Sequence, residues 1–487
     1  MSFETGVQFV CQRFTLCDQG ASRFSETQAA GGEKNARSAA FMLQAVNQVA
    51  DHGRQLGALG QMPKFVDFVL LGGENDTRDR NRHDCCNQKV VRSRVRKDRG
   101  LIDNARMENI IAWEAGGVPA QALWQSEAGL PVPARVDCID ERISADAAWA
   151  QLAEGKALLW QGDWVNARNL LQALIRRAER RFDPRRGKTP ATPAEAFARH
   201  REVLGQRAIL LAGLLVPVTA DYHVPLRRAQ VTDEACRAAW GAPDGRPRVL
   251  ALRELLAVIS AYEWRKKGIP VPAVQGRIYP HYGVFSPVRG EYVDLVAQAP
   301  LPAACTLAFD IGTGSGILAA ILARRGIAEV LATDMAPRAL ACATENIEKL
   351  GLTAQVQIIE ADLFPPGKAP LIVCNPPWVP AQPSSPIEYA VYDPDSRMLR
   401  GFLGGLIKHL APGGEAWLII SDLAEHLGLR TRAQLLEWIA GAGLVVIERR
   451  DTRPKHPKVQ DRSDPLHAAR AAEITSLWRL ALNGKKP

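Results

Sequence analysis

No apolar run in this 487-residue chain reaches the roughly 18 residues that a membrane-spanning helix requires. The longest, Ala208–Val216, directly follows Arg207 and is too short to span, so it predicts a buried helix. Met1–Gln19 is broken by Glu4, Arg13 and Asp18 and lacks the apolar core of a secretory signal, which predicts a cytoplasmic protein without a membrane partner. The nine cysteines include no CxxC pair, and their odd number and irregular spacing argue against a disulfide framework and against a zinc site, so no metal is expected. Cys305, Cys342 and Cys374 fall in apolar or helical patterns and are expected as small core residues. Low-complexity and collagen-like repeats are missing too, and with 47% hydrophobic and 23% charged residues the chain has ample material for a folded core.

The charge is unbalanced. The net value is +9, compatible with an acidic partner such as RNA. The excess is local: Arg168 to Arg207 holds eleven Lys/Arg against four Asp/Glu. Such a run reads either as a solvated helix face with ordinary i,i+4 pairs or as a contact to RNA or the ribosome.

Three regions differ in texture. Residues 1–106 show only weak helical periodicity around Ala39–Leu56 and a charge-dense stretch from Glu74 to Arg99; they are expected to be poorly structured, or to be upstream sequence with Met107 as the true start. Residues 107–270 read as helical. Apolar residues recur at three- and four-residue spacing through Asp146–Trp160 and Trp164–Ala178, Leu250–Lys267 is amphipathic, and Thr192-Pro-Ala-Glu195 carries a helix N-cap, a first-turn proline and an acidic third position. That capped helix is expected to run through Leu214, and the set predicts a small bundle. From 271 to 487 short β-rich runs alternate with helical stretches: strands at Thr306–Phe309, Glu329–Thr333, Val356–Ile359, Leu371–Cys374, Glu415–Ile420 and Leu444–Glu448, helices at Ile317–Arg325, Pro337–Leu350, Met398–Leu410 and Arg430–Ala442. Alternation of this kind predicts a mainly parallel sheet covered on both faces.

Asp310-Ile-Gly312-Thr-Gly314-Ser-Gly316 follows an apolar strand and opens a helix. Glycines there allow a sharp turn and a close approach to a ligand. Ile317 stands where a dinucleotide fingerprint has its last glycine, and no lysine follows in the phosphate-loop pattern, so a dehydrogenase and an ATPase are disfavoured. Asp334 ends the next strand, 24 residues on, where a carboxylate accepts both hydroxyls of a ribose; the alternative is a cap for the helix from Pro337. Asp362 is placed to bond an adenine amino group with Leu363 against the ring, or to serve only as a turn residue.

The fourth strand ends in Asn375-Pro376-Pro377-Trp378. Consecutive prolines fix the loop backbone, a rigidity that can aim the Asn375 side chain and a main-chain carbonyl at one point; the alternative is a plain Pro-rich turn after a strand. Two such oxygens accept both hydrogens of a planar NH2 group, on which Trp378 can stack. His281 and His409 read as structural.

These motifs resemble the class I S-adenosylmethionine-dependent N-methyltransferases with an (N/D)PP(Y/F/W) motif. Asp310, Gly312, Gly314 and Gly316 match their cofactor loop, Asp334 the ribose-binding acid, Asp362 with Leu363 the adenine contact, and Asn375, Pro376, Pro377 and Trp378 the amino-group motif, Asn375 bordering the cofactor as well. Thr333–Leu340, Asn346 and Leu350-Gly look like the same family's second-strand block. Within the group the chain is similar to the HemK-type glutamine methyltransferases of peptide release factors, which also carry a helical domain ahead of the catalytic one. It departs from them at Trp378, where Tyr is usual, and at Val288-Arg-Gly-Glu291. The resemblance implies a Rossmann-like α/β domain with a mainly parallel seven-stranded sheet after a small helical domain, S-adenosyl-L-methionine as cofactor, and a macromolecular partner bearing the NH2 group. That partner is a protein glutamine, or an RNA base methylated at adenine N6 or guanine N2. A non-catalytic RNA- or ribosome-binding module on the same fold is the remaining alternative.

Overall fold

The computed structural model describes residues 109–183, 188–287, 290–455 and 457–484. The expectation for residues 1–106 lies outside them.

The segment read as helical holds the expected helices, but they pack on a six-stranded sheet. In chain order it contains β1 (Ile110–Ala115), β2 (Val118–Gln125), β3 (Val136–Ile139), α1 (Ala145–Ala153), β4 (Ala157–Trp160), α2 (Trp164–Arg181), α3 (Pro193–Ala212), β5 (Leu214–Val218), α4 (Asp233–Trp240), β6 (Arg248–Ala251) and α5 (Leu252–Lys267). The sheet order is β1-β2-β6-β5-β4-β3, mixed parallel and antiparallel. Three stretches that looked like helix divide. Asp146–Trp160 breaks after α1 at Gly155, which takes φ +77°, and continues as β4. The run Ala208–Val216 leaves α3 at Ala212 and enters β5, and the helix expected from Leu250 begins two residues later, after β6. The physical reason is burial on both faces. Leu158, Trp160, Leu214, Val216 and Leu250 face α1, α2 and α5, whereas Leu159, Leu215 and Val249 join Ile111 and Trp124 in a second core. A strand with no solvent face shows no alternation, so its apolar run cannot be told from helix by periodicity.

The N-cap reading at Thr192 is matched in detail. Its hydroxyl accepts from the Glu195 amide (3.2 Å), and the Glu195 carboxylate accepts from the Ala191 amide (2.7 Å).

A hairpin, β7 (Ile269–Val271) with β8 (Gly276–Ile278), leads to α6 (Glu291–Gln298) and the second sheet. There the strands are β9 (Leu307–Ile311), β10 (Glu329–Asp334), β11 (Val356–Glu360), β12 (Ala369–Cys374), β13 (Leu410–Ser421), β14 (Leu444–Thr452) and β15 (Thr475–Leu482). The helices are α7 (Ile317–Arg324), α8 (Pro337–Lys349), α9 (Arg397–His409), α10 (Leu423–His426), α11 (Arg432–Gly441) and α12 (His467–Ala472). The order is β11-β10-β9-β12-β13-β15-β14, with only β15 antiparallel to its neighbours. This is a Rossmann-like α/β domain. Helices α6 to α8 cover one face and α9 with α11 the other. Strand order reverses between β9 and β12, which opens a crevice at their carboxyl ends. Cys342 and Cys374 are buried in this core and Cys305 is half-buried, as expected. Among the described residues no helix is long and apolar enough to cross a membrane.

The two sheets are joined by polar contacts close to that crevice. Arg338 of α8 donates to both oxygens of Glu127 (2.6 and 3.0 Å), and the Glu127 amide donates to Glu254 of α5 (3.0 Å). Burial pushes the Glu254 carboxyl up to about 7, with the Glu127 charge adding to the shift. A carboxyl raised on folding stabilises fully below its unfolded value near 4.5, and that contribution is lost as pH rises through about 7. Glu254→Gln should therefore raise the melting temperature at pH 8 relative to the parent, by a free energy of up to roughly 3 kcal/mol, and do little at pH 4. Melting curves of both proteins across this range check it; parallel curves would refute the buried carboxyl.

Candidate active site

The pairing register brings the sequence-predicted residues to one rim. Cys374 pairs with Ile311 across β12 and β9, Thr333 pairs with Ile311 across β10 and β9, and Asp334 pairs with Glu360 across β10 and β11. Asn375, Gly312, Asp334 and Asp362 therefore follow or end adjacent strands at the same edge.

The glycine loop needs its glycines for two different reasons. Gly312, Gly314 and Gly316 all have positive φ (+70°, +55° and +80°), which side chains rarely adopt. At Gly316 a Cβ would press on the Ala343 backbone at 3.2 Å, so this glycine serves the packing of α7 on α8. At Gly314 a Cβ would point into open space, which leaves the loop backbone accessible to a ligand.

Asp310 braces the loop from beneath. It is 1% exposed, and one carboxylate oxygen accepts from Thr313 Oγ1 (2.7 Å) and from the Ala319 amide (3.0 Å). Burial pushes its carboxyl up to about 6, despite these two bonds. Asn346 braces the other side, its amide nitrogen donating to the Ser315 carbonyl (2.9 Å) and its oxygen accepting from the Tyr279 amide (2.7 Å). Asp334 stands at the open side. Its two oxygens accept from the Gly314 amide and the Ala336 amide, each at 3.0 Å. A carboxylate oxygen has a second lone pair, so both keep acceptor capacity for a diol. The open space at Gly314 and these free lone pairs fit S-adenosylmethionine. Asp334→Ala should weaken binding of that molecule by about 1.5–3 kcal/mol, read by calorimetry. Unchanged affinity would refute the assignment.

Asp362 is exposed beyond β11, and Leu363 takes a left-handed φ of +71°. The Leu363 carbonyl accepts from Thr333 Oγ1 (2.5 Å), which ties this turn to β10. The Leu363 side chain packs towards Gly401 of α9.

At the end of β12, Asn375 and Trp378 are joined directly. The Trp378 indole Nε1–H donates to Asn375 Oδ1 at 2.8 Å. Pro376 is buried; Pro377 is half-buried. His281 and His409 have structural partners: His281 Nε2 lies 2.6 Å from Glu345, and His409 Nδ1 lies 2.9 Å from the Gly367 carbonyl with its ring stacked on Phe364.

Several residues of this rim gave no sequence signal. Asp393 caps α9, accepting from the Met398 and Leu399 amides (2.9 and 3.1 Å). Between them Asp395 and Ser396 are both left-handed (φ +54° and +52°), a strain of order 1–3 kcal/mol each. The turn brings the Met398 Cε against Gly312. Glu291, at the start of α6, holds a buried carboxylate oxygen without a partner among the described residues, beside Tyr292, which lies within electrostatic reach of Asp310.

Arg201 of α3 is the other such residue. It is 8% exposed, donates to the Gln382 carbonyl (2.6 Å) and to Glu388 Oε2 (3.2 Å), and lies over the Tyr392 ring at 4.2 Å. Glu388 is fully buried and also accepts from the Ser384 amide and hydroxyl (2.7 and 2.5 Å). The loop after the Asn-Pro-Pro-Trp turn is thus gripped by a helix of the first sheet's layer, and Val379 pairs with Tyr392 to close its base.

The basic run is in part consumed by such contacts. Arg177 pairs with Asp146 (2.7 Å), Arg199 donates to the Lys188 carbonyl (2.6 Å), and Arg207 donates to the Phe182 carbonyl. Arg168, Arg176, Arg180 and Arg181 of α2 remain exposed.

Residues 300–376 match the family described as ribosomal protein L11 methyltransferase (PrmA). The chain is 31% identical over 240 residues to the release factor glutamine methyltransferase of Moorella thermoacetica, spanning 42% of this chain and 85% of that protein. It is 33% identical over 174 residues to the enzyme of the same name from Cereibacter sphaeroides, covering 31% of this chain and 62% of that one. It is also 32% identical over 147 residues to the tRNA1(Val) (adenine(37)-N6)-methyltransferase of Shewanella loihica, covering 28% of this chain and 60% of that protein. With a glycine loop, an acid at the second strand and the switch-point crevice in place, the chain belongs to the class I S-adenosylmethionine-dependent methyltransferases, related to those that act on release factors and ribosomal proteins.

Proposed function

We propose that this chain methylates the side-chain amide nitrogen of a glutamine in a protein, with S-adenosyl-L-methionine as donor. The observation that carries the reading is Asn375 at the carboxyl end of β12, beside the glycine loop on β9, followed by two prolines. The similarity to release factor glutamine methyltransferases supports the choice of an amide.

The donor, when bound, supplies a methyl group on a sulfonium: an N–C bond forms, the S–C bond breaks and its electron pair stays on sulfur. Gly314 and Asp334 would hold it, with Asp310 and Asn346 keeping the loop in shape. The protein's part is positioning. An amide nitrogen is a poor nucleophile because its lone pair is delocalised into the carbonyl. Asn375 Oδ1 and the Pro376 carbonyl accept the two N–H groups and draw the nitrogen towards tetrahedral geometry, which localises the pair for in-line attack. The proton leaves to solvent after the bond has formed.

An RNA base is the second reading. It is favoured by the four exposed arginines of α2 and by the similarity to an adenine-N6 enzyme. Incubation with tritiated donor and a whole-cell extract separates the two. Label released by protease and kept through RNase is the expected result; label released by RNase would replace the glutamine with a base. Donor binding without any incorporation would instead favour a non-catalytic module.

A further inference from the structure

Resting on that reading of Asn375, we infer that Trp378 is a positioning residue: its indole N–H sets which atom of the Asn375 amide faces the target. The oxygen and nitrogen of an asparagine side chain are nearly the same in shape and opposite in function, one an acceptor and the other a donor. Rotation of the amide by half a turn would present N–H groups to the incoming NH2, donor against donor. The indole Nε1–H can only donate, and at 2.8 Å from Oδ1 it holds the oxygen on the side of the motif's aromatic ring. The second lone pair of Oδ1 stays free to accept one hydrogen of the target, leaving the other to the backbone carbonyl.

The ring itself is wedged in place. Trp378 packs against all three clusters that meet at this corner: the core under α6 to α8, the core under α9 and α11, and the group formed by Phe197, Val379, Tyr392, Leu427 and Leu466. A side chain pinned by packing is suited to hold a hydrogen bond in one geometry. Its half-buried ring has less surface to offer as a stacking wall than an open aromatic would. A phenylalanine or tyrosine in this place has no N–H at that position in the ring, so the lock belongs to the tryptophan form of the motif.

The test uses the full chain and the variants Trp378→Phe and Asn375→Ala. With 15N-labelled indoles, Trp378→Phe identifies the Trp378 cross-peak. In Asn375→Ala that peak should move upfield and its proton should exchange faster with water; a peak that stays put would overturn the hydrogen bond. With tritiated donor and whole-cell extract as acceptor, Trp378→Phe should lower the maximal rate about 3- to 10-fold, the effect of one hydrogen bond. The half-saturating amount of extract and the donor affinity should change less than two-fold. A normal maximal rate with a raised half-saturating amount would mean that the ring only stacks, and the positioning role would fail. If the wild-type protein labels nothing in the extract, the methyl-transfer reading falls and this role with it, while the indole resonance still reports whether the bond exists.

Discussion

Replacing Asn375 with alanine is expected to cut methyl transfer by ~10²-fold or more, the size of effect seen when one well-placed polar group is lost from a transition state. Donor affinity should stay within a few-fold, because the proposed donor contacts are Gly314 and Asp334 and neither bonds to Asn375. The alanine also leaves the Trp378 N–H without its acceptor, so part of the loss reaches the loop. Asn375→Asp separates the two effects. An aspartate oxygen still accepts from the indole and still faces the target, but it adds a charge, so partial activity should survive. Rates with tritiated donor and calorimetric affinities for the three proteins decide the matter. Normal turnover by Asn375→Ala would remove the basis for placing an NH2 group there.

Arg201→Met is expected to destabilise the protein by about 3–5 kcal/mol, the usual result of removing one partner from a buried ion pair. Glu388 is fully buried and would lose its charged partner, keeping the bonds from the Ser384 amide and hydroxyl. The double variant Arg201→Met/Glu388→Gln should recover much of the loss, since the uncompensated charge is then gone. Denaturant unfolding of the two variants measures this, and equal stability of the single and double variants would refute it. At temperatures where Arg201→Met remains folded, its donor affinity should match the parent while turnover falls. Arg201 grips Gln382 and Glu388 on the loop after Trp378 and does not touch the glycine loop.

The residues differ in how much of their role is local. Gly312, Gly314 and Gly316, the acid after the second strand and the Asn-Pro-Pro-Trp turn are contiguous motifs whose chemistry depends on near neighbours, and the second sheet's strands appear within a few residues of where their apolar runs place them. β15 is not legible in the sequence although it pairs with both β13 and β14; it follows α12 without a turn signal that separates the two. The first sheet is hidden for a different reason. Its strands β4, β5 and β6 are buried on both faces and abut helices, so their hydrophobicity runs on without a period.

Sequence alone thus determined the α/β class of the second half, the glycine loop and the amide-bearing turn, because each is written in residues close along the chain. Tertiary structure decided what each polar side chain does. Asp310, matched by resemblance to the cofactor loop, is 1% exposed and braces that loop from beneath. Arg201 is one cation in a basic run, and its partner Glu388 stands 187 positions further along the chain. The electrostatic cost of burying Arg201 is met by Glu388 and the Gln382 carbonyl, which only folding brings within 3.2 Å, and no pattern along the chain records which groups those are.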